Sequence, residues 1–256
     1  MTIRLGYQIP NFTYPDTPVE RLFETVVAQA REAEASGFDT VLVMDHFYQL
    51  PGIGPAENAM LECYTTLGAL ASATSTIQLS ALVTGNTYRN PPMLAGEQPT
   101  FSGKHYRVTN ALNNPRIRPS VPIMLGGSGE TKTFRMAAQY ADHMNIICNR
   151  EDLAHKVSVL RQRCEEIGRD PSTLATSYLA FVMMTEDAAQ AAAVLERMPE
   201  DRRSRVFIGT PEQVAESLKT DVLDAGIDGL TINMIANGHV PGAVTLAGKT
   251  LAPLVS

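Results

Sequence analysis

Val121-Pro122-Ile123-Met124-Leu125-Gly126-Gly127-Ser128-Gly129-Glu130-Thr131-Lys132-Thr133 runs from an apolar segment into two glycines, then Ser-Gly, then a segment of helical character from 131 to 141. The order is strand, tight turn, helix N-terminus. Unpaired backbone N–H groups and the helix dipole at such a junction attract a phosphate. Glycine lets the backbone come close to a ligand, and Ser128 and Thr131 add hydroxyls. A plain turn with a helix cap uses the same residues, so this stretch alone leaves both readings open.

Outward from this turn, strand-like and helix-like segments alternate almost throughout. Apolar runs at 3–9, 39–44, 77–83, 122–125, 143–147, 177–184 and 229–234 predict strands. Helices are expected at 19–36, 60–74, 151–167, 188–197, 211–225 and 241–254, with 198–210 irregular. In the first helix Leu22, Val26, Ala30 and Ala33 recur at helical spacing, and Gly37 stops it. Apolar strands alternating with helices imply a parallel sheet covered on both faces. No Gly-x-Gly-x-x-Gly follows the first strand, so a closed α/β architecture, the TIM (β/α)8 barrel, fits better than an open dinucleotide-binding sheet. Polar residues collect where strands end: Tyr7-Gln8, Asp45-His46, Thr84-Gly85-Asn86, Gly126-Gly127-Ser128 and Asn145. In a barrel these share one rim, the rim at which this fold places its chemistry.

The rhythm breaks between Thr84 and Val108. A helix-like start at Asn90-Pro91-Pro92 is followed at once by Gly96, and 96–106 reads as a short β-hairpin with a Ser-Gly turn. A βα step takes roughly 30 residues, so about one and a half units are lacking after residue 95. The chain is read as a single barrel domain, 1–256, with a gap or deletion at 95/96.

Hydrophobic residues make up 44% and charged residues 19% of the 256, which supports a large core and argues against disorder. A net charge of −6, with basic residues read as scattered, speaks against nucleic acid as a partner. No apolar run is long enough to span a bilayer, and 1–6 leads into a strand pattern without a signal-peptide core. Cys63, Cys148 and Cys164 are odd in number and widely spaced, which fits buried thiols in a reducing cytoplasm. No histidine pairing suggests a metal site.

Several ordered motifs carry a family resemblance. They include Leu5-Gly6-Tyr7-Gln8, Glu34-Ala35-Ser36-Gly37-Phe38-Asp39, Met44-Asp45-His46-Phe47 and Val83-Thr84-Gly85-Asn86-Thr87-Tyr88-Arg89-Asn90-Pro91. Further along are Pro99-Thr100-Phe101-Ser102-Gly103-Lys104-His105-Tyr106, Pro122-Ile123-Met124-Leu125-Gly126-Gly127-Ser128-Gly129, Ile208-Gly209-Thr210-Pro211-Glu212-Gln213-Val214 and Ala225-Gly226-Ile227-Asp228-Gly229. The chain resembles the luciferase-like flavin and deazaflavin oxidoreductases, especially the coenzyme F420-dependent branch. The resemblance implies a barrel with a flavin-type ring at the C-terminal mouth and its phosphate on the turn from Gly126 to Thr131. It also implies an unusual cis peptide near Thr84-Gly85 and a homodimer packed through barrel helices. Relatives carry a helix, a strand and a further helix where this chain passes from Ala95 to Gly96. Three explanations stay open: a segment of the protein missing from this sequence, a natural shortening, or an engineered deletion.

On this reading His46 is the expected catalytic residue, because an imidazole titrates near neutral pH and relays protons. Asp45, Thr84, Gly85, Asn86, Gly126, Gly127, Ser128, Gly129 and Thr131 are expected to bind the cofactor. Tyr7, Gln8 and Asn145 are expected to meet substrate, and Arg89 to be solvated. The expected activity is hydride transfer between F420 and a small organic substrate. An FMN-dependent monooxygenase is the alternative, as is a non-catalytic flavin-binding protein if the deletion is real.

Overall fold

The computed structural model describes residues 3–85, 88–89, 100–103, 107–110 and 121–255. Its strands are β1 (Leu5–Gln8), β2 (Thr40–Val43), β3 (Gln78–Ala81), β4 (Phe101–Ser102), β5 (Arg107–Val108), β6 (Met124–Gly127), β7 (His143–Ile146), β8 (Ala175–Met184), β9 (Val206–Gly209) and β10 (Gly229–Asn233). Its helices are α1 (Leu22–Ala35), α2 (Cys63–Ala73), α3 (Thr133–Tyr140), α4 (Leu153–Glu165), α5 (Ala188–Arg197), α6 (Glu200–Arg203), α7 (Pro211–Leu218) and α8 (Ala243–Val255). The main sheet runs β3-β2-β1-β10-β8-β7-β6, every pair parallel, with β9 added alongside β8. This is the strand order of a parallel (β/α) barrel, and among the described residues no strand bridges β3 and β6.

Side chains alternate across the strands, so each strand has one face toward the helices and one toward the barrel interior. Leu5, Tyr7, Val41, Val43, Met144, Ile146, Tyr178, Ala180, Leu230 and Ile232 face outward into the main core, against Val26, Ala30 and Ala33 of α1 and their counterparts on other helices. Each such buried apolar side chain contributes roughly 1.5–3 kcal/mol. The interior holds a smaller apolar group: Ile3, Leu42 and Leu82, with Met124 and Leu179 packed on it. Leu82 follows β3 and Met124 opens β6, so the two edge strands curl toward each other. A Cβ built on Gly126 would stand 3.1 Å from Val83 Cγ1. The Val83 side chain therefore lies against the Gly126 backbone, where the two edges approach.

At the N-terminal ends of the strands, three aspartates fix register by accepting from a neighbouring strand's amides. Asp39 takes the N–H of Arg4 and Leu5, Asp142 that of Ile123, and Asp228 that of Thr176. Glu34, near the end of α1, accepts from the amides of Ser75, Thr76 and Ile77 and so orders the entry to β3.

The irregular reading of 198–210 is corrected by the structure, which forms α6 and β9 there. The cause is the ten-residue length of β8, whose distal half, from Phe181 to Met184, offers a ladder that β9 fills. The hairpin expected at 96–106 is met in part: Phe101 and Ser102 pair antiparallel with Val108 and Arg107. The cis bond lies at Leu82–Val83, slightly before the expected place. The Ala95–Gly96 junction lies outside the described residues.

Candidate functional site at the C-terminal rim

The glycine turn sits at the C-terminal end of β6, beside the end of β3. Gly127 has φ +136°, a conformation that side-chain-bearing residues rarely adopt. A Cβ at Gly129 would stand 2.9 Å from Thr133 Oγ1, so glycine is what lets the Thr133 side chain fold over the turn. The helix starts at Thr133 rather than Thr131. Phe134 N–H donates to Gly129 O at 3.0 Å, but the N–H groups of Ser128, Gly129, Glu130, Thr131 and Lys132 meet no acceptor among the described residues. A run of free donors at a helix N-terminus is electrostatically suited to an anion. Ser128 is half-buried and Thr131 exposed at the helix start. The Thr133 hydroxyl lies inside the turn, and sequence spacing pointed to Thr131 instead.

Asp45 ends the segment after β2 and is buried. Its Oδ2 accepts from Gly85 N–H at 3.0 Å and Arg89 Nε at 3.1 Å, and its Oδ1 from Arg89 Nη2 at 2.8 Å. Burial pushes the carboxyl up, yet the bonds from Arg89 and Gly85 outweigh that and hold it below the usual carboxylate range. With those bonds made, Asp45 anchors the loop after β3. Arg89 is not a solvated arginine: it also pairs with Glu62 and lies 4.8 Å from the centre of the Tyr64 ring. Gly85 is overlain by the Tyr88 ring, which a Cβ at 85 would overlap. Thr84 Oγ1 shares a 2.7 Å hydrogen bond with Tyr64 OH. His46 is half-buried on the same rim, and its ring bonds to no group among the described residues. Asn86 lies outside the described residues.

Gln8 and Asn145 point into the interior, as the alternation requires, but deep enough to be engaged by protein. Gln8 Nε2 donates to Leu82 O at 3.3 Å, and its Oε1 accepts from Asn233 Nδ2 at 2.7 Å. Asn145 Nδ2 donates to Ser177 Oγ at 2.7 Å and Thr231 Oγ1 at 3.0 Å. His143 Nε2 lies 2.7 Å from the same Ser177 Oγ. These buried polar groups form two hydrogen-bonded clusters inside the barrel, one around Gln8 and Asn233 and one around Asn145, Ser177, Thr231 and His143, of which sequence reasoning singled out Gln8 and Asn145 alone. Tyr7 joins neither. Being one residue out of phase with Gln8, it faces the helices, is fully buried, and donates its hydroxyl to Gln29 Oε1 at 2.7 Å. That corrects its expected contact with substrate.

The three cysteines are buried, and burial raises each thiol: Cys63 to about 12 and Cys148 to about 11, with Cys164 raised as well. A cavity of about 300 Å3 lined by Leu160, Arg161, Cys164, Leu174, Thr176 and Asp228 lies at the opposite, N-terminal end of the strands, away from the turn. No group of three or more metal-ligating side chains is present among the described residues. No helix among them is long and apolar enough to cross a membrane.

The family model of the luciferase-like monooxygenases matches residues 3–98 and 92–201, well over half of the chain. The chain belongs to the luciferase-like monooxygenase family. The two matches of this family member meet at 92–98, around the Ala95–Gly96 junction. No curated protein sequence matches significantly. Similar solved structures include an F420-dependent secondary alcohol dehydrogenase in complex with an F420-acetone adduct, at 17% identity and TM-score 0.79 over 100% of both chains. A coenzyme F420 dependent tetrahydromethanopterin reductase from Methanopyrus kandleri aligns at 14% identity and TM-score 0.76, again over 100% of both. The oxygenating constituent of 3,6-diketocamphane monooxygenase from the CAM plasmid of Pseudomonas putida, in complex with FMN, aligns at 13% identity and TM-score 0.70 over 99% of both. At these identities the likeness is one of fold.

Proposed function

We propose that this luciferase-like protein is an oxidoreductase that holds a flavin-type cofactor by its phosphate on the turn from Gly126 to Thr133. Coenzyme F420 is the leading candidate and FMN the alternative. The observation that carries the reading is the run of amides from Ser128 to Lys132 that meet no acceptor among the described residues, at a helix N-terminus and on the rim shared with Asp45 and Gly85. The solved relatives above that carry F420 or FMN share this fold. The residues present fit such a group: Gly127 and Gly129 clear the approach, and Thr133 adds a hydroxyl.

When bound, a reduced deazaflavin supplies hydride for a small organic substrate, which the protein must orient. Asp45 and Arg89 hold the loop at Gly85 in place. His46, whose ring bonds to no group among the described residues, would move the accompanying proton. Gln8 and Asn145 act by stiffening the barrel interior. The break in the βα rhythm of the sequence after Ala95 favours a second reading, in which ligand is retained without turnover.

Fluorescence titration with FMN, riboflavin and F420 tests the proposal. FMN should bind more tightly than riboflavin, which lacks the phosphate. Gly129→Val, whose side chain would collide with Thr133, should cut affinity for phosphorylated ligands ~10-fold or more, about 1.4 kcal/mol, and leave riboflavin unchanged. Equal binding of FMN and riboflavin would remove the phosphate site. Tighter binding of FMN than F420 would favour the alternative cofactor. Cofactor retention with no consumption over a broad substrate panel would favour the reading without turnover.

A further inference from the structure

The glycine turn is gripped from one side by α4. Glu130 is the only carboxylate between Gly126 and Thr133, and it is half-buried. Lys156 Nζ donates to its Oε1, and His155 Nε2 lies 3.2 Å from the same oxygen. The bond from Lys156 holds the carboxyl below its usual range, so it is charged at neutral pH. Arg163 Nε donates to the Glu130 carbonyl oxygen at 3.2 Å, while its Nη1 is bonded to Glu166. Lys156 and Arg163 lie about two turns apart on one face of α4. The far end of α3 is held as well. Arg169, beyond α4, donates from Nη1 to Ala138 O and Ala141 O at 2.9 Å each, where the helix dipole is negative.

A carboxylate in a turn that receives an anion is unfavourable on charge alone. Its contacts show what offsets that repulsion. The amides from Ser128 to Lys132 meet no acceptor among the described residues, so they do not order the turn. Glycine at 127 and 129 also gives the backbone much freedom to lose on binding. Order must then come from side chains and carbonyl oxygens, and Glu130 attaches to α4 through one of each. A site ordered before its ligand arrives binds more tightly than one the ligand must order.

We propose that Glu130 is a positioning residue for the anion site: tied to α4 through its carboxylate and its carbonyl oxygen, it presets the amides that receive the phosphate. The inference rests on the phosphate reading above and deepens it. Lys156 acts through Glu130, as its partner.

FMN and riboflavin differ only in the phosphate, so the ratio of their dissociation constants reads the anion site apart from any general loosening of the fold. Fluorescence titration of the full chain measures that ratio for each variant, and thermal melting checks that each is folded. Glu130→Ala should lower the preference for FMN about three- to tenfold, the cost of ordering such a segment on binding. Glu130→Gln, which can still accept from Lys156, should keep most of the preference. Lys156→Met should lower it. Glu130→Ala combined with Lys156→Met should fall no further than the worse single variant, because both break one contact. If Glu130 acts only as a charge, both of its substitutions raise the affinity for FMN, and the inference is overturned. Glu130→Gln carries that comparison even where Glu130→Ala does not fold. A preference untouched by Glu130→Ala overturns the inference too, as does strict additivity of the two substitutions. In each case weakening of FMN by Gly129→Val shows that the phosphate site itself stands. Equal binding of FMN and riboflavin by the unaltered protein removes the phosphate site and this inference with it.

Discussion

Replacing His143 by leucine should flatten the dependence of stability on pH between pH 4 and pH 6.5. His143 opens β7 inside the barrel and is 3% exposed. Its Nε2 meets Ser177, and its Nδ1 is buried without a partner among the described residues. Burial depresses the imidazole to about 4, against which the negative charges of Asp228 and Asp39 act only in part. In the unfolded chain the same group titrates near 6.5. Between those values the unfolded state binds the proton and the folded state does not, so acid favours unfolding. Stability is therefore complete above about pH 6.5, falls through the window, and levels off below the folded value. With an unfolded value of 6.5 and a folded value of about 4, the loss is about 2 kcal/mol by pH 5 and about 3 kcal/mol by pH 4. Urea unfolding of the two proteins at a series of pH values measures the difference directly. Leucine fills a similar volume and discards a nitrogen that is unpartnered anyway, so the variant should still fold. If the difference in stability between the two proteins is the same at pH 5 and pH 7, the buried, neutral imidazole is wrong.

Asp45→Asn should lower stability by about 2–3 kcal/mol, since it removes the charge from a buried acceptor of three donors and leaves Arg89 with Glu62 alone. A double-mutant cycle with Arg89→Gln checks the assignment, and strict additivity of the two substitutions would count against it. Glu34 is held at about 2 by the amides of Thr76, Ile77 and Ser75. Its contribution should be present above the unfolded value near 4.3 and lost as pH falls toward 2. Glu34→Gln should therefore reduce the steepness of acid unfolding in that window, and an unchanged acid transition would argue that the amides are not held by this carboxylate.

Much of the fold is legible in the sequence because burial on both faces writes long apolar runs into parallel strands. Thr40–Val43, His143–Ile146 and Gly229–Asn233 are wholly buried, and each was visible as such a run. The glycine turn was visible for a related reason: only glycine tolerates the backbone at 127 and the approach of Thr133 at 129. β9 was missed because a short half-buried segment has no period of its own. It is a strand only because the distal half of β8 offers it a ladder.

The polar side chains at strand ends were placed on the correct rim by sequence order, but their partners were not readable. Tyr7 and Gln8 are neighbours in the chain and face opposite ways, one toward Gln29 on α1 and the other toward Asn233 on β10. Asp45 meets Arg89 from forty-four positions away and so anchors the loop after β3. Local order determined which segments are strands, where the chain turns sharply and which end of the sheet carries polar groups. Pairing across distant segments decided which of those groups stay free to meet a ligand, because a buried donor or acceptor is satisfied by whatever the curled sheet brings within reach.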